Sequence, residues 1–115
     1  MTSVPVFIVI RAEWCGHCKQ MKPELDKVVE TFTEKFKDDG LKLATRIMEL
    51  EEYNELAAQK KDALIKTLEA NKATSRGVPF IALHDTRDLH VYDRERTAPS
   101  MARFILERLR HFNSS

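Results

Sequence analysis

The sequence has little of what marks fibrous, disordered or disulfide-stapled proteins, since its 115 residues include only three Gly, four Pro and two Cys. A hydrophobic share of 43% is typical of a globular protein and excludes a disordered chain. Two cysteines are too few for a secreted disulfide scaffold. Because only two residues separate Cys15 from Cys18, a bond between them cannot connect distant elements. Reactivity explains this pair better than stability does.

The chain also lacks an excess of charge and a long apolar run. Its formal net charge is +1, from 19 basic and 18 acidic side chains, so we expect neither nucleic acid nor an anionic membrane as a partner. The longest apolar stretch, Val4 to Ile10, is too short to span a bilayer. It has no basic leader and no cleavage site, so we expect a cytoplasmic protein unless a signal has been removed.

The length predicts a single domain over residues 1–112, with a frayed tail at 113–115, and we expect a monomer. Periodicity predicts the order strand, helix, strand, helix, strand, strand, helix. These elements cover Val4 to Ile10, Gly16 to about Lys37, Leu41 to Met48, about Glu51 to Lys72, Phe80 to Leu83, Leu89 to Tyr92, and a last helix capped by Thr97 or Ser100. A mixed four-stranded sheet with helices on both faces, an α/β fold, buries every apolar surface.

Cys15 and Cys18 lie where the first strand gives way to the first helix. The N–H groups at a helix start lack partners and carry partial positive charge, which favours a thiolate on Cys15. One helical turn brings Cys18 close to Cys15 but deeper into the protein. We therefore predict that Cys15 is the nucleophile and that Cys18 resolves the mixed disulfide. A protonated His17 would further stabilise the Cys15 thiolate.

Two other interpretations of the cysteine pair remain open. A zinc half-site would need a second pair of ligands, and the chain offers only single histidines for it, namely His17, His84, His90 and His111. We therefore predict no metal and no cofactor. Two inert, buried cysteines are the second alternative.

The motif Trp14-Cys15-Gly16-His17-Cys18-Lys19 resembles the active site of protein disulfide isomerase domains, within the thioredoxin superfamily. The resemblance implies a thioredoxin-like fold, a cis bond at Val78–Pro79 facing the cysteines, and pairing of the Val78 backbone with an extended substrate. It also implies that Arg96 tunes the buried cysteine, although a solvated surface arginine is an alternative. Trp14 would either cover the sulfurs and contact substrate or fill the core.

Three features depart from this pattern. Only fourteen residues precede Cys15, which gives a minimal core closer to glutaredoxin. Val9 stands where these families bury an acid beneath the cysteines, so Cys18 lacks the expected proton acceptor. Glutaredoxin has a glycine-rich turn that helps to hold glutathione, and residues 84–88 replace it here. We therefore do not expect this protein to depend on glutathione.

The leading hypothesis is an enzyme that exchanges disulfides with protein substrates, inclined to oxidation or isomerisation, and served by an upstream reductase or oxidase. A thioredoxin- or glutaredoxin-like reductase is the first alternative. The second is a non-catalytic module of the same fold that binds a partner through the long helix predicted at Glu51 to Lys72.

Overall fold

The computed structural model describes residues 5–39, 43–75, 77–85 and 87–114. Its strands are β1 (Val6–Arg11), β2 (Ala44–Glu49), β3 (Phe80–His84) and β4 (Leu89–Val91). They form one sheet in the order β2-β1-β3-β4, with β1 parallel to β2 and antiparallel to β3, and β3 antiparallel to β4. The predicted mixed sheet is confirmed, with β2 at an edge and a β3–β4 hairpin. The predicted start of β2 at Leu41 falls outside the described residues.

Helices cover both faces of this sheet, as predicted. They are α1 (Gly16–Asp39), α2 (Leu50–Gln59), α3 (Ala63–Ala70) and α4 (Ala98–Ser114). Successive side chains of a strand point to opposite faces, so Phe7 and Val9 of β1 pack with α1 and α4, whereas Ile8 and Ile10 pack with α2 and α3. These four side chains are buried, which explains why residues 6–10 are continuously apolar.

The prediction of one long helix from Glu51 to Lys72 is wrong. The chain leaves the helical conformation at Lys60, which has a φ of 55°, and α3 begins anew after Asp62. Asp62 Oδ1 accepts hydrogen bonds from the backbone N–H groups of Leu64 and Ile65, at 3.0 and 3.2 Å, and so caps α3. Asp62 also forms an ion pair with Arg46 on β2 at 2.7 Å. This part of the chain therefore forms two short helices, α2 and α3, instead of one long helix.

The last helix begins where the sequence indicated. Thr97 Oγ1 accepts a hydrogen bond from the Ser100 N–H at 3.4 Å, so Thr97 is the cap and Ser100 lies inside the first turn. The helix continues to Ser114, so residues 113 and 114, predicted to fray, are helical, and Ser115 lies outside the described residues.

Strand directions bring four chain segments together at one end of the sheet. The carboxyl ends of β1, β2 and β4 and the amino end of β3 meet there, because Ile10 pairs with both Met48 and Phe80 and the Tyr92 N–H donates to Ile81. We call this the cysteine end, and the opposite end, with the β3–β4 turn, the turn end. Within the described part of the chain, no helix is long and apolar enough to cross a membrane.

Candidate active site

Cys15 is the residue that caps the start of α1. Its carbonyl accepts the first helical hydrogen bond, from the Lys19 N–H at 3.1 Å, and its own N–H donates to Ala12 at 3.1 Å. Its Sγ accepts from the Cys18 N–H at 3.4 Å. A cap side chain normally accepts from the second or third N–H of the helix through oxygen, and here sulfur takes that place. Because two residues separate the cysteines, the N–H group that donates to the Cys15 sulfur is that of Cys18.

These contacts lower the pKa of the Cys15 thiol from its ordinary value. The largest cause is the hydrogen bond with the Cys18 side chain; burial acts in the opposite direction. Hydrogen bonds from the backbone N–H groups of Cys18 and His17 and the positive charge of Arg96 lower the pKa further. Cys15 is 7% exposed and so is largely buried.

The Cys18 thiol is perturbed in the opposite direction. Its burial and its hydrogen bond to Cys15 raise its pKa to about 11. Both cysteines are free thiols in this structure, and Cys18 is 4% exposed. At neutral pH Cys15 is therefore the readier of the two to ionise, while Cys18 keeps its proton and can donate it to Cys15.

The loop before β3 forms the wall opposite the cysteines. The Val78–Pro79 peptide bond is cis, as the resemblance implied, and the Cys15 thiol donates a hydrogen bond to the Val78 carbonyl with an Sγ–O distance of 3.5 Å. Gly77, with a φ of 95°, supplies the left-handed conformation that leads into this loop. The structure thus brings Val78, the residue before Pro79, to Cys15 across 63 residues of sequence.

Trp14 lies on the solvent side of the site. It is 72% exposed, so the alternative that it fills the core is wrong. It lines a pocket of about 200 Å³ together with Ala12, Glu13 and residues 49–51 at the end of β2. An exposed indole at the rim of a reactive site offers apolar contact to a bound polypeptide.

Arg96 and His17 meet on the other side of the site. They line a groove of about 510 Å³ with Gln20 and Met21 of α1. Arg96 also lines a second groove, of about 610 Å³, which contains Val78 and Pro79. Its charge acts on both thiols, whereas His17 contributes to the pKa of Cys15 through its backbone N–H. Stabilisation of the thiolate by the His17 imidazole stays a prediction.

Two residues near the site escaped the sequence analysis. The Glu24 carboxylate on α1 accepts a hydrogen bond from the Ala98 N–H at 2.9 Å. The Tyr92 hydroxyl donates to the Glu95 carbonyl and lies 2.6 Å from Ser100 Oγ. A single Glu in an amphipathic helix gives no sequence signal for a partner 74 residues away. Tyr92 was predicted only as the last residue of a strand.

No acid lies beneath the cysteines in the described structure, where Val9 is fully buried and no charged side chain is. Residues 5–39, 43–75, 77–85 and 87–114 also contain no group of three or more His, Cys, Asp and Glu placed to hold a metal ion.

Comparison with known proteins matches the thioredoxin family model to residues 2–106. Protein disulfide-isomerases from Oryctolagus cuniculus and Gallus gallus are 29% and 28% identical over 101 residues, which is 87% of this chain and 16% of each relative. The first thioredoxin domain of mouse protein disulfide-isomerase A4 is similar in structure, with a TM-score of 0.58, 25% identity, and coverage of 90% of this chain and 61% of that one. Human ERp44 has a TM-score of 0.66 at 12% identity, covering 91% of this chain and 25% of that one.

The chain thus spans about one sixth of the length of the curated relatives that it matches. The family match covers both cysteines, the cis-proline loop and all four strands. It confirms the predicted thioredoxin-like fold, and the chain is also similar to domains of disulfide isomerases. This chain belongs to the thioredoxin family.

Proposed function

We propose that this protein exchanges disulfides with protein substrates through Cys15 and Cys18, in the direction of oxidation or isomerisation. The observation that carries the proposal is the placement of two free thiols at the start of α1, where Cys15 Sγ accepts a hydrogen bond from the Cys18 N–H at 3.4 Å. This arrangement lowers the pKa of Cys15, whereas burial and the hydrogen bond to Cys15 raise that of Cys18 to about 11. An attacking thiol has to ionise near ambient pH, whereas a resolving thiol has to stay protonated until its partner is engaged.

The exchange proceeds in two displacement steps. In reduction, the Cys15 thiolate attacks one sulfur of a substrate disulfide, forms a mixed disulfide and releases the other sulfur as a thiolate, which takes up a proton. Cys18 then loses its proton, attacks Cys15 Sγ and releases the second substrate thiol, leaving a Cys15–Cys18 disulfide. Oxidation of a substrate dithiol is the reverse, and it leaves the protein reduced. An upstream oxidase or reductase then restores the starting state.

Substrate recognition would depend mainly on main-chain contacts. The Val78 carbonyl lies 3.5 Å from Cys15 Sγ, so an extended substrate segment beside Val78 would carry its own cysteine to the nucleophile. Such pairing tolerates many sequences. The exposed face of Trp14 would add apolar contact on the other side of the sulfur.

The direction of exchange follows from the stability of the reduced form. Every contact that favours the Cys15 thiolate stabilises the reduced protein and makes its disulfide a stronger oxidant, with about 30 mV corresponding to 1.4 kcal/mol. We expect a reduction potential above the value of about −270 mV typical of thioredoxin. Equilibration with glutathione buffers measures it, and a value at or below that of thioredoxin would favour the reductase alternative.

Two serine variants test the roles of the cysteines. Cys15→Ser should abolish both insulin reduction and refolding of a scrambled disulfide protein. Cys18→Ser should still capture substrate but accumulate as a mixed disulfide through Cys15, visible on non-reducing gels and by mass spectrometry. Activity retained by Cys15→Ser, or no captured substrate with Cys18→Ser, would contradict the proposal.

A further inference from the structure

The loop of residues 93–97 joins β4 to α4 and carries Arg96, which lines one groove with His17 and another with Val78. The charge of Arg96 lowers the pKa of both thiols. The Tyr92 hydroxyl donates to the Glu95 carbonyl and bonds Ser100, so it fixes the shape of this loop against α4. Those bonds stay within the loop and the helix that follows it. They do not reach the cysteines, which lie at the start of α1.

The Glu24 carboxylate accepts a hydrogen bond that connects α4 with α1. Glu24 lies six residues after Cys18 on α1, about 9 Å along the helix axis. Its Oε2 accepts from the N–H of Ala98, the first residue of α4 and the second after Arg96. The same helix therefore links the acceptor of this bond to both thiols.

The position of this acceptor matches a need at the start of α4. The N–H groups in the first turn of a helix have no partner within the helix. The Ser100 N–H is taken by Thr97 Oγ1, Pro99 has no N–H, and the Ala98 N–H goes to Glu24. A negative charge at a helix amino end is further favoured by the helix dipole. For these first three residues of α4, Glu24 thus supplies an acceptor that the loop does not supply for itself.

We propose that Glu24 is a positioning residue, which ties the Arg96 loop to the cysteine helix through the Ala98 N–H and thereby keeps Arg96 beside the sulfurs. For its consequence in exchange, this inference rests on the proposed function. Its structural content does not, because the closeness of Arg96 to the thiols can be measured without a substrate.

The sign of the effect separates positioning from the direct charge of Glu24. A carboxylate near a thiol disfavours the thiolate, so removing the charge alone would make Cys15 more reactive. Loss of Arg96 from the site has the opposite effect, because its cation favours the thiolate. His17 on α1 and Glu13, Glu49 and Glu51 around the Trp14 pocket stay the same in all variants, so their charges cancel in the comparison.

The experiment measures the rate of Cys15 alkylation by iodoacetamide against pH in the reduced protein, with the modified residue identified by mass spectrometry. Glu24→Ala should slow alkylation about two- to fivefold at a pH below the Cys15 pKa, the range expected for a partly exposed charge pair. Glu24→Gln keeps an acceptor for the Ala98 N–H and should retain the wild-type rate or exceed it. Glu30→Ala, which removes an exposed acid of the same helix, is the matched control and should not slow the reaction.

Two further variants approach the same bond from the other side. Ala98→Pro removes the donor while keeping the Glu24 charge, at a position where proline suits a helix, and should slow alkylation as Glu24→Ala does. In an Arg96→Met background, Glu24→Ala should cause no further slowing. Circular dichroism and denaturant midpoints would show that each variant is folded. Unchanged or faster alkylation in both Glu24→Ala and Ala98→Pro would overturn the inference, and so would full additivity with Arg96→Met.

The alkylation experiment and the substrate assays fail independently of each other. A null result with Glu24→Ala would leave the roles of Cys15 and Cys18 intact. Absence of exchange activity in the wild-type protein would leave the Glu24 measurement interpretable.

Discussion

The two ends of the sheet handle polar groups in opposite ways. At the turn end, Asp85 accepts hydrogen bonds from the Arg87 and Asp88 N–H groups, at 3.0 and 2.8 Å, and its other oxygen lies 2.7 Å from His90 Nε2. At the cysteine end, Trp14 is 72% exposed and Arg96 faces two grooves. The turn satisfies its groups internally, whereas the cysteine end keeps groups directed at a reactant.

The hydrogen bonds at the two ends have different consequences. An aspartate that accepts several hydrogen bonds stabilises the turn and is chemically inert. A thiolate that accepts N–H groups from a helix start is stabilised too, but it remains a nucleophile with an approach route. Changes at the turn end should therefore alter stability, and changes at the cysteine end should alter chemistry.

The largest effect is expected from Cys15→Ser, which should reduce exchange to the rate of the uncatalysed assay because a serine hydroxyl does not ionise at neutral pH. Its free energy of unfolding should stay within about 1 kcal/mol of wild type, since the change keeps nearly the same volume. Insulin turnover and urea denaturation measure the two quantities. A large loss of stability would show that the cysteine end is also structural.

At the turn end, by contrast, we expect an effect on stability, which acid titration should reveal. Burial alone would raise the pKa of Asp85, but the hydrogen bonds from Asp88, His90 and Arg87 together have the larger effect and lower it to about 2. A carboxylate with a lowered folded pKa stabilises the protein above its unfolded value of 3.8, and this contribution is lost as the pH falls towards 2.

The variant Asp85→Asn should therefore lack about 1 to 2 kcal/mol of this pH-dependent stability, after allowance for solvent screening, and should keep wild-type exchange activity. Denaturant unfolding between pH 2 and 5 measures the difference. Asp88→Asn changes an exposed acid of the same turn and is the matched control. Equal pH dependence in both variants would remove the distinction between the two ends.

Trp14→Ala should raise KM for a protein substrate about fivefold, corresponding to about 1 kcal/mol of binding, with little change in kcat. Because Trp14 is 72% exposed, the free energy of unfolding should change by less than about 0.5 kcal/mol. Trp14→Phe should restore most of the affinity. If stability fell and KM did not rise, Trp14 would be structural after all.

The smallest effect is expected from Arg96→Met. Its cation lowers the pKa of both thiols, so its removal raises the pKa of Cys15 and should slow alkylation about two- to fivefold at fixed pH. Arg94→Met is the control, because Arg94 pairs with Glu107 at 3.5 Å and lies over the Phe104 ring. Equal slowing in both variants would indicate a general charge effect.

Local patterns were enough to predict the sheet and the position of the cysteines, because residues 6–10 are continuously apolar and α1 is amphipathic. The break between α2 and α3 was missed because no Gly or Pro marks it, although Asp62 is a recognisable helix cap. The closeness of Val78 to Cys15 came from resemblance and not from periodicity. The Glu24–Ala98 bond joins residues 74 positions apart, and only the packing of α1 against α4 creates it.

The most direct test of the whole account is a titration of both thiols in the reduced protein, by pH-dependent alkylation with site-resolved mass spectrometry. We expect Cys15 to ionise below the ordinary thiol pKa of 9.0, and Cys18 to stay protonated until about pH 11. A Cys15 pKa at or above 9.0 would contradict the account, since neither thiol would then be activated at the mouth of the helix.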